Sequence, residues 1–382
     1  MGPLSGVRVV EFAGLGPTPF CGMLLSDLGA DVVRIDRPQP LRPPAAPGTL
    51  AGYVTRALGR GRRSVAIDLK QPTGRELAAT LVERSDAALE GFRPGVMERL
   101  GLGPQECLQR NPRLVYGRMT GWGQSGQRAQ TAGHDINYIA ASGVLGTLGE
   151  PDRTPPVPLN LLADFGGGGA LMALGIVAAL WQARVSGQGQ VVDTAMVNGS
   201  ALLATMVYEL LDSGDWQDRR QANLSDGAAP YYGTYETADG RYLAVGAMEH
   251  QFYEILIDRL GIDVDELPDR DDRAQWPQLR ARLAAEFRRK TQREWVAVFE
   301  GSDACVTAVA SLHEAMAEAD NADIFIDVGG VRQPAPASRF SRTPCDAPEP
   351  ARPVGADTEQ VLEEMGITQL RLSELRAAGI VN

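Results

Sequence analysis

Apolar residues along the first 120 positions follow two alternating patterns. Short apolar runs at 6–14, 31–36, 63–68, 87–92 and 113–123 are typical of strands, and the first of them is rich in β-branched residues. Segments 18–30 and 74–85 instead repeat apolar residues at helical spacing. Because strands that alternate with helices usually form a parallel sheet covered by helices, this part predicts a doubly wound α/β domain.

The pattern changes after residue 160. Two long apolar helices are predicted within 164–213, joined by SGQGQVVD, and 231–249 alternates like an antiparallel hairpin with a DG turn. Amphipathic helices follow at 251–260, 276–289 and 291–300, then a linker at 332–344 and a helix at 357–366. We predict a large α/β domain over 1–200 rejoined by 330–382, a helical connection at 201–224, and a small α+β domain over 225–329.

Several classes of protein are disfavoured by composition. The net charge of 37 − 48 = −11 argues against a nucleic-acid partner or an anionic membrane surface. The longest apolar run, 165–181, contains five glycines and is short for a bilayer span, so we expect a buried core helix. Four cysteines without paired spacing, and no leader pattern, predict reduced thiols, no metal site and a cytoplasmic location.

The first strand is followed by GLGPTP, at 14–19, which resembles the beginning of a dinucleotide-binding site. Asp36 lies about twenty residues further on, as the acidic residue of such sites does. The pattern requires a third glycine where this chain has Pro19, and Arg37 follows Asp36 directly. We therefore expect a Rossmann-like fold without NAD.

A basic window lies within this acidic chain. It holds eight cations and only two acids, Asp36 and Asp68. Its cations are Arg34, Arg37, Arg42, Arg56, Arg60, Arg62, Arg63 and Lys70. A solvated loop over 38–61 is one interpretation, but arginine also suits bidentate phosphate contacts and stacking on a base. With Arg93 and Arg99 nearby, the window predicts a site for a ligand that has several phosphates and an adenine.

Three residues are candidates for proton transfer. His134 lies on a loop before an apolar segment, Asp164 precedes four glycines, and Glu249 ends a predicted strand. Each has a structural alternative: a packed histidine, a helix N-cap and a surface acid. Because glycine disfavours helices, we interpret the glycines as room for a ligand at a helix start whose N–H groups stabilise an oxyanion.

Longer motifs resemble one family over nearly the full length. The chain is similar to the α-methylacyl-CoA racemases of the class III CoA-transferase superfamily, from PLSGVRVVEFAGLG to about RFSRTP. The motifs that carry the resemblance are GFRPGVMERLGLGP, MTGWGQSG, GHDINY, PLNLLADFGGGG, GQGQVVDTAMVNGS, APYYGTY, LAVGAMEHQFY and SDACVT.

The resemblance implies an enzyme with specific site residues. It implies that His134, paired with Glu249, and Asp164 act on opposite faces of the α-carbon of a 2-methylacyl-CoA thioester. The positions implied to contact CoA are Arg37, Ile67, Asp68, Leu69, Lys70, Gly91, Phe92, Arg93, Arg99, Gly133, Asp135, Ile136, Asn137 and Tyr138. It also implies an interlocked homodimer and no separate cofactor, since CoA belongs to the substrate. The alternative within the superfamily is a CoA transferase with Asp164 as nucleophile.

Overall fold

The computed structural model describes residues 2–38 and 58–382, so most of the predicted loop at 38–61, with Arg42 and Arg56, lies outside the described residues. The chain divides into two compact units. Unit 1 comprises Met1–Ser142, Pro158–Leu203 and Ala322–Asn382, and unit 2 comprises Gly143–Val157 and Ala204–Asn321. The domain limits given above remain predictions beside this division.

Unit 1 is built on a six-stranded, all-parallel sheet with the strand order β3-β2-β1-β4-β5-β6. The strands are β1 (Arg8–Phe12), β2 (Asp31–Asp36), β3 (Arg63–Ala66), β4 (Ala87–Glu90), β5 (Val115–Thr120) and β6 (Gln190–Ala195). This order is that of the Rossmann fold, so the predicted fold class is confirmed. The interpretation of SGQGQVVD as a simple connection is wrong, since its second half forms β6.

Helices follow the strands of unit 1. They are α1 (Pro17–Asp27), α2 (Pro72–Glu83), α3 (Val96–Arg99), α4 (Pro104–Arg110), α5 (Asp135–Ala141), α6 (Leu171–Ser186) and α7 (Met196–Leu203). A π-helical segment, Leu161–Ala170, continues directly into α6. One face of the sheet and the returning C-terminal segment share a core that includes Val10, Ile67, Tyr116 and Leu362.

The returning segment covers the outer edge of β3. Its helices are α13 (Thr358–Glu364) and α14 (Gln369–Ala377), which follow a hairpin of β10 (Phe325–Val328) and β11 (Val331–Pro334). The backbone N–H of Ser64 donates to Asp357 Oδ2 at 2.8 Å, and that of Asp68 donates to the Ile380 carbonyl at 2.8 Å. The linker predicted at 332–344 is partly strand, because its first residues belong to β11.

Unit 2 has its own sheet and core. Its antiparallel strands are β7 (Tyr232–Glu236), β8 (Tyr242–Gly246) and β9 (Val306–Ala308), which confirm the predicted hairpin. Its helices are α8 (Thr205–Ser213), α9 (His250–Leu260), α10 (Trp276–Phe287), α11 (Gln292–Phe299) and α12 (Leu312–Ala317). Trp295, Phe287 and Leu256 are among the side chains that form its core.

The apolar run predicted to be a buried core helix is buried on one face only. Ile176 and Ala179 of α6 are covered, whereas Leu174, Trp181 and Val185 are 65%, 68% and 67% exposed. Of the described residues, only the helical stretch Leu161–Ser186 has the length and apolar composition to cross a membrane. The expectation of full burial is wrong within the single chain, because none of the described residues, 2–38 and 58–382, covers those three side chains.

Candidate active site

A cleft of about 440 Å³ opens at the carboxyl end of the parallel sheet, the edge where open α/β sheets bind ligands. The chain that leaves β2 contributes Arg37, and the chain that leaves β4 contributes Phe92. The chain after β3 contributes four consecutive residues, Ile67, Asp68, Leu69 and Lys70. Six of the positions predicted to contact CoA therefore line one cleft.

Most described arginines of the basic window are engaged elsewhere. Arg34 donates to Asp36 at 2.8 Å, Arg60 forms a buried ion pair with Asp27 at 2.5 Å, and Arg62 pairs with buried Glu11. Arg63 binds Asp31 and Glu364. The interpretation of the whole window as a ligand site is wrong for these four, because each guanidinium is already paired with a carboxylate of the protein. Arg37 and Lys70 are exposed at the cleft.

Of the other predicted CoA positions, Arg93 and Gly133 lie near Tyr138. Gly91, Arg93 and Arg99 are exposed. The pKa of Tyr138 is raised to about 12, chiefly by burial and also by the charge of Asp164, while the charge of Arg93 opposes the rise. The Tyr138 hydroxyl donates to the Gly133 carbonyl at 2.6 Å. Tyr138 therefore lies within electrostatic reach of both the 91–93 loop and Asp164.

His134 is the N-cap residue of α5 and is exposed. Its backbone N–H donates to Asn137 Oδ1 at 3.0 Å, which secures the first turn of the helix. Ile136 and Asn137 are also exposed on this turn. The Asn137 side chain thus fixes the backbone of His134 at the beginning of α5.

Asp135 joins α5 to the π-helical segment. Its side chain is buried, and Oδ2 accepts the backbone N–H groups of Ala163 at 2.7 Å and Asp164 at 2.8 Å. One carboxylate thus satisfies two donors of the first turn, where a helix has no internal partners. Asp135 therefore fixes the backbone of Asp164, and its neighbour in the chain, His134, carries the imidazole.

The Asp164 carboxyl group is half-buried, and burial raises its pKa. A hydrogen bond from Asn160 Nδ2 at 3.3 Å lowers the pKa, the negative charge of Asp135 raises it, and a positive charge on His134 lowers it. A carboxyl group whose pKa is moved toward neutrality is better suited to both accept and return a proton.

Asp164 does not precede the helix, as predicted, but lies inside the π-helical segment that begins at Leu161. Its N–H and that of Ala163 already donate to Asp135, so these two donors do not serve an oxyanion. The glycines serve packing: a Cβ on Gly167 would lie 2.7 Å from the Ser200 nitrogen, and one on Gly169 would lie 2.7 Å from the Pro17 carbonyl oxygen. The interpretation of the glycines as room for a ligand is wrong for these two.

The GLGPTP loop reaches the same site, which sequence reasoning missed. Gly16 has a φ of 65°, and a Cβ on it would lie 3.4 Å from Asp164 Oδ2. The positive φ and the approach to the carboxylate both favour glycine here. The segment that resembled the beginning of a dinucleotide-binding site therefore lies beside Asp164.

Glu249 belongs to unit 2, where it is the exposed N-cap residue of α9, three residues beyond the end of β8. The preceding carbonyl, of Met248, accepts a hydrogen bond from Arg270 Nη2 at 2.5 Å. The Arg270 guanidinium lies 4.0 Å from the ring centroid of Tyr231 and 4.4 Å from that of Tyr253. Arg270 is thereby fixed between two aromatic rings and holds the backbone beside Glu249.

Comparison with known proteins identifies the class of protein to which this fold and these candidate site residues belong. The chain belongs to CoA-transferase family III, whose sequence model matches residues 4–358. The prediction that the chain is an enzyme is confirmed by this membership together with the relatives described next.

Among individual proteins, the chain is 46% identical to the α-methylacyl-CoA racemase of Mus musculus over 382 residues, 99% of this chain and 97% of that protein. It is 36% identical to the succinyl-CoA–D-citramalate CoA-transferase of Chloroflexus aurantiacus over 265 residues, 68% of this chain and 65% of that protein. The crystal structure of a CAIB/BAIF family protein from Brucella suis superposes with a TM-score of 0.81 at 26% identity, covering 95% of this chain and 99% of that one. The resemblance drawn from the motifs is confirmed.

Proposed function

We propose that the protein epimerises 2-methylacyl-CoA thioesters at C2 by proton transfer through an enolate. The observation that carries the proposal is that the half-buried Asp164 carboxyl, whose pKa is raised by burial, lies within electrostatic reach of His134, so that two groups able to carry a proton lie near one another. The 46% identity to a racemase over 99% of the chain supports the choice of reaction.

The proposed reaction conserves all atoms. One residue removes the C2 proton, and the electron pair of the C–H bond moves into the thioester carbonyl to give an enolate. The other residue, protonated, returns a proton to the opposite face, and the carbonyl re-forms. His134, paired with Glu249 as the resemblance implies, serves one face and Asp164 serves the other. CoA is part of the substrate, so no separate cofactor enters the scheme.

Deuterium exchange tests the reaction. In D₂O, both epimers of a 2-methylacyl-CoA are expected to incorporate deuterium at C2 and to converge on one mixture, without an added metal ion or cofactor. A panel of acyl groups identifies the natural class of substrate. Absence of exchange with every 2-methylacyl-CoA, or a requirement for a divalent cation, would contradict the proposal.

The alternative is a CoA transferase in which the Asp164 carboxylate attacks the thioester and becomes a mixed anhydride. The family includes transferases, such as the Chloroflexus relative, so the distinction must be made on this residue. Incubation with acyl-CoA and hydroxylamine, followed by peptide mass measurement, leaves Asp164 unchanged in a racemase. A hydroxamate at Asp164, with transfer of CoA between carboxylic acids, would decide for the transferase.

The cleft residues Arg37 and Lys70 are expected to bind the phosphates of CoA. Such contacts lie far from C2 and stabilise the ground state and the transition state about equally. Arg37→Ala and Lys70→Ala should therefore raise KM for acyl-CoA by about tenfold and weaken its dependence on salt, with kcat nearly unchanged. Arg113→Ala, an exposed cation before β5 at the opposite edge of the sheet, is the control.

A second copy of the chain is proposed to cover the exposed apolar face of α6. Leu174, Trp181 and Val185 form a face that a monomeric protein seldom leaves in water. The resemblance implies an interlocked homodimer, which would bury it. Light scattering at micromolar concentration should give twice the mass of one chain, and the mass of a single chain would contradict the proposal.

A further inference from the structure

Glu90 ends β4 and immediately precedes the loop 91–93 of the cleft. Its side chain is buried, with 2% exposure for the residue. Oε2 accepts the backbone N–H of Phe92 at 2.7 Å, and Oε1 lies 3.5 Å from Arg118 Nε. The carboxylate thus contacts the backbone of a cleft-lining residue from behind the wall of the cleft.

Arg118 connects Glu90 to a second acid. It is paired in register with Glu90 on the neighbouring strand β5, and its Nη2 donates to Glu98 Oε1 at 2.9 Å. Glu98 lies on α3, which supplies Val96 to the cleft, while Phe92 and Leu100 line the cleft on either side. One guanidinium therefore holds both the beginning and the end of the 91–99 segment.

The loop also has little freedom on its other side. A Cβ on Gly91 would lie 2.4 Å from Thr18 Oγ1, near the beginning of α1. The segment is confined between α1 on one side and the Glu90 carboxylate on the other. A small displacement of the carboxylate would therefore move Phe92 rather than be absorbed elsewhere.

Stability alone does not explain an acid at this position. Burial raises the pKa of Glu90 to about 7, a sign of the unfavourable desolvation of its charge. Buried ion pairs can often be replaced by apolar residues of similar volume without loss of stability. The contacts of Glu90 and Arg118 indicate instead that these residues fix the geometry of the 91–99 segment.

We propose that Glu90 and Arg118 are positioning residues that fix the 91–99 wall of the cleft for the CoA portion of the substrate. The proposal rests on the proposed function, because it takes CoA as the occupant. The hydrogen bond from the Phe92 N–H to Glu90 is the decisive contact. Arg118 holds α3 in place relative to Glu90 through its bond to Glu98.

The test compares two replacements of one side chain. Glu90→Ala removes the acceptor and should raise KM for acyl-CoA by about tenfold, the effect of losing a buried hydrogen bond to a charged group, while kcat changes by less than about twofold. Glu90→Gln keeps an oxygen for the Phe92 N–H and should restore KM to within about threefold of the original value. Glu76→Ala, which removes an exposed acid on α2, is the control.

Titration calorimetry with free CoA separates the two levels of the proposal. If the unaltered protein does not bind CoA, the proposed function fails. If the unaltered protein binds CoA and Glu90→Ala binds it equally well, the positioning role fails. The positioning role also fails if Glu90→Gln is as impaired as Glu90→Ala. It fails again if kcat of Glu90→Ala falls as much as its KM rises. Should Glu90→Ala not fold, Glu98→Ala removes the exposed partner of Arg118. It should weaken CoA binding about threefold, and unchanged binding overturns the proposal.

Discussion

Asp164→Asn is expected to abolish epimerisation while leaving one kind of exchange intact. The amide is nearly isosteric with the carboxyl group but cannot accept the C2 proton, and a positioned general base is worth roughly 10²–10⁴ in rate. Deuterium incorporation should fall by that factor for one epimer. The other epimer should still lose its proton to His134 and regain deuterium on the same face, with retention of configuration.

Chiral analysis of deuterated product checks this result. Asp152→Asn, the same change at an exposed aspartate of unit 2, should leave both rates unaltered. Equal loss of exchange from the two epimers would contradict a two-base mechanism. Continued epimerisation by Asp164→Asn would show that another residue serves this face.

His134→Gln is expected to have the opposite selectivity, with loss of exchange from the other epimer. Exchange should fall by roughly 10²–10⁴ for the epimer that retains exchange in Asp164→Asn, and the remaining epimer should exchange with retention. The backbone N–H of residue 134 would still donate to Asn137, so α5 should keep its first turn. The measurement is the same pair of exchange rates, with the thermal unfolding midpoint as the check on folding.

Exposed His313, replaced by glutamine, provides the matched control for the histidine substitution. Impairment of the same epimer by both active-site variants would contradict the assignment of one residue to each face. Reciprocal impairment would support it independently of any structure with bound substrate.

The parallel sheet could be predicted because its first five strands are short runs with buried apolar residues, and helical spacing separates several of them. β6 was missed because Gln190–Ala195 is an edge strand with a largely exposed pattern, placed between two apolar helices. A short strand that is mostly exposed has little apolar periodicity by which to recognise it. The hairpin of unit 2 was predictable from its alternation and its DG turn.

The site was only partly predictable, and the reason is distance along the chain. Asp135 bonds residues 28 and 29 positions away, and Arg62 finds its counter-ion 51 positions away. No local pattern reveals that one arginine is neutralised while Arg37 is exposed. The motifs of the family singled out His134 and Asp164, but the roles of both residues, and that of Glu249, stay predictions.

The covering of β3 by the C-terminal segment has a consequence for biosynthesis. β3 belongs to the first third of the chain, yet the backbone after it is held by the Ile380 carbonyl, and Gly379 lines the cleft. A ribosome releases the strands that begin the cleft long before residues 357–381, which cover β3. Until those residues have emerged, the backbone edge of β3 is open to pairing with other chains.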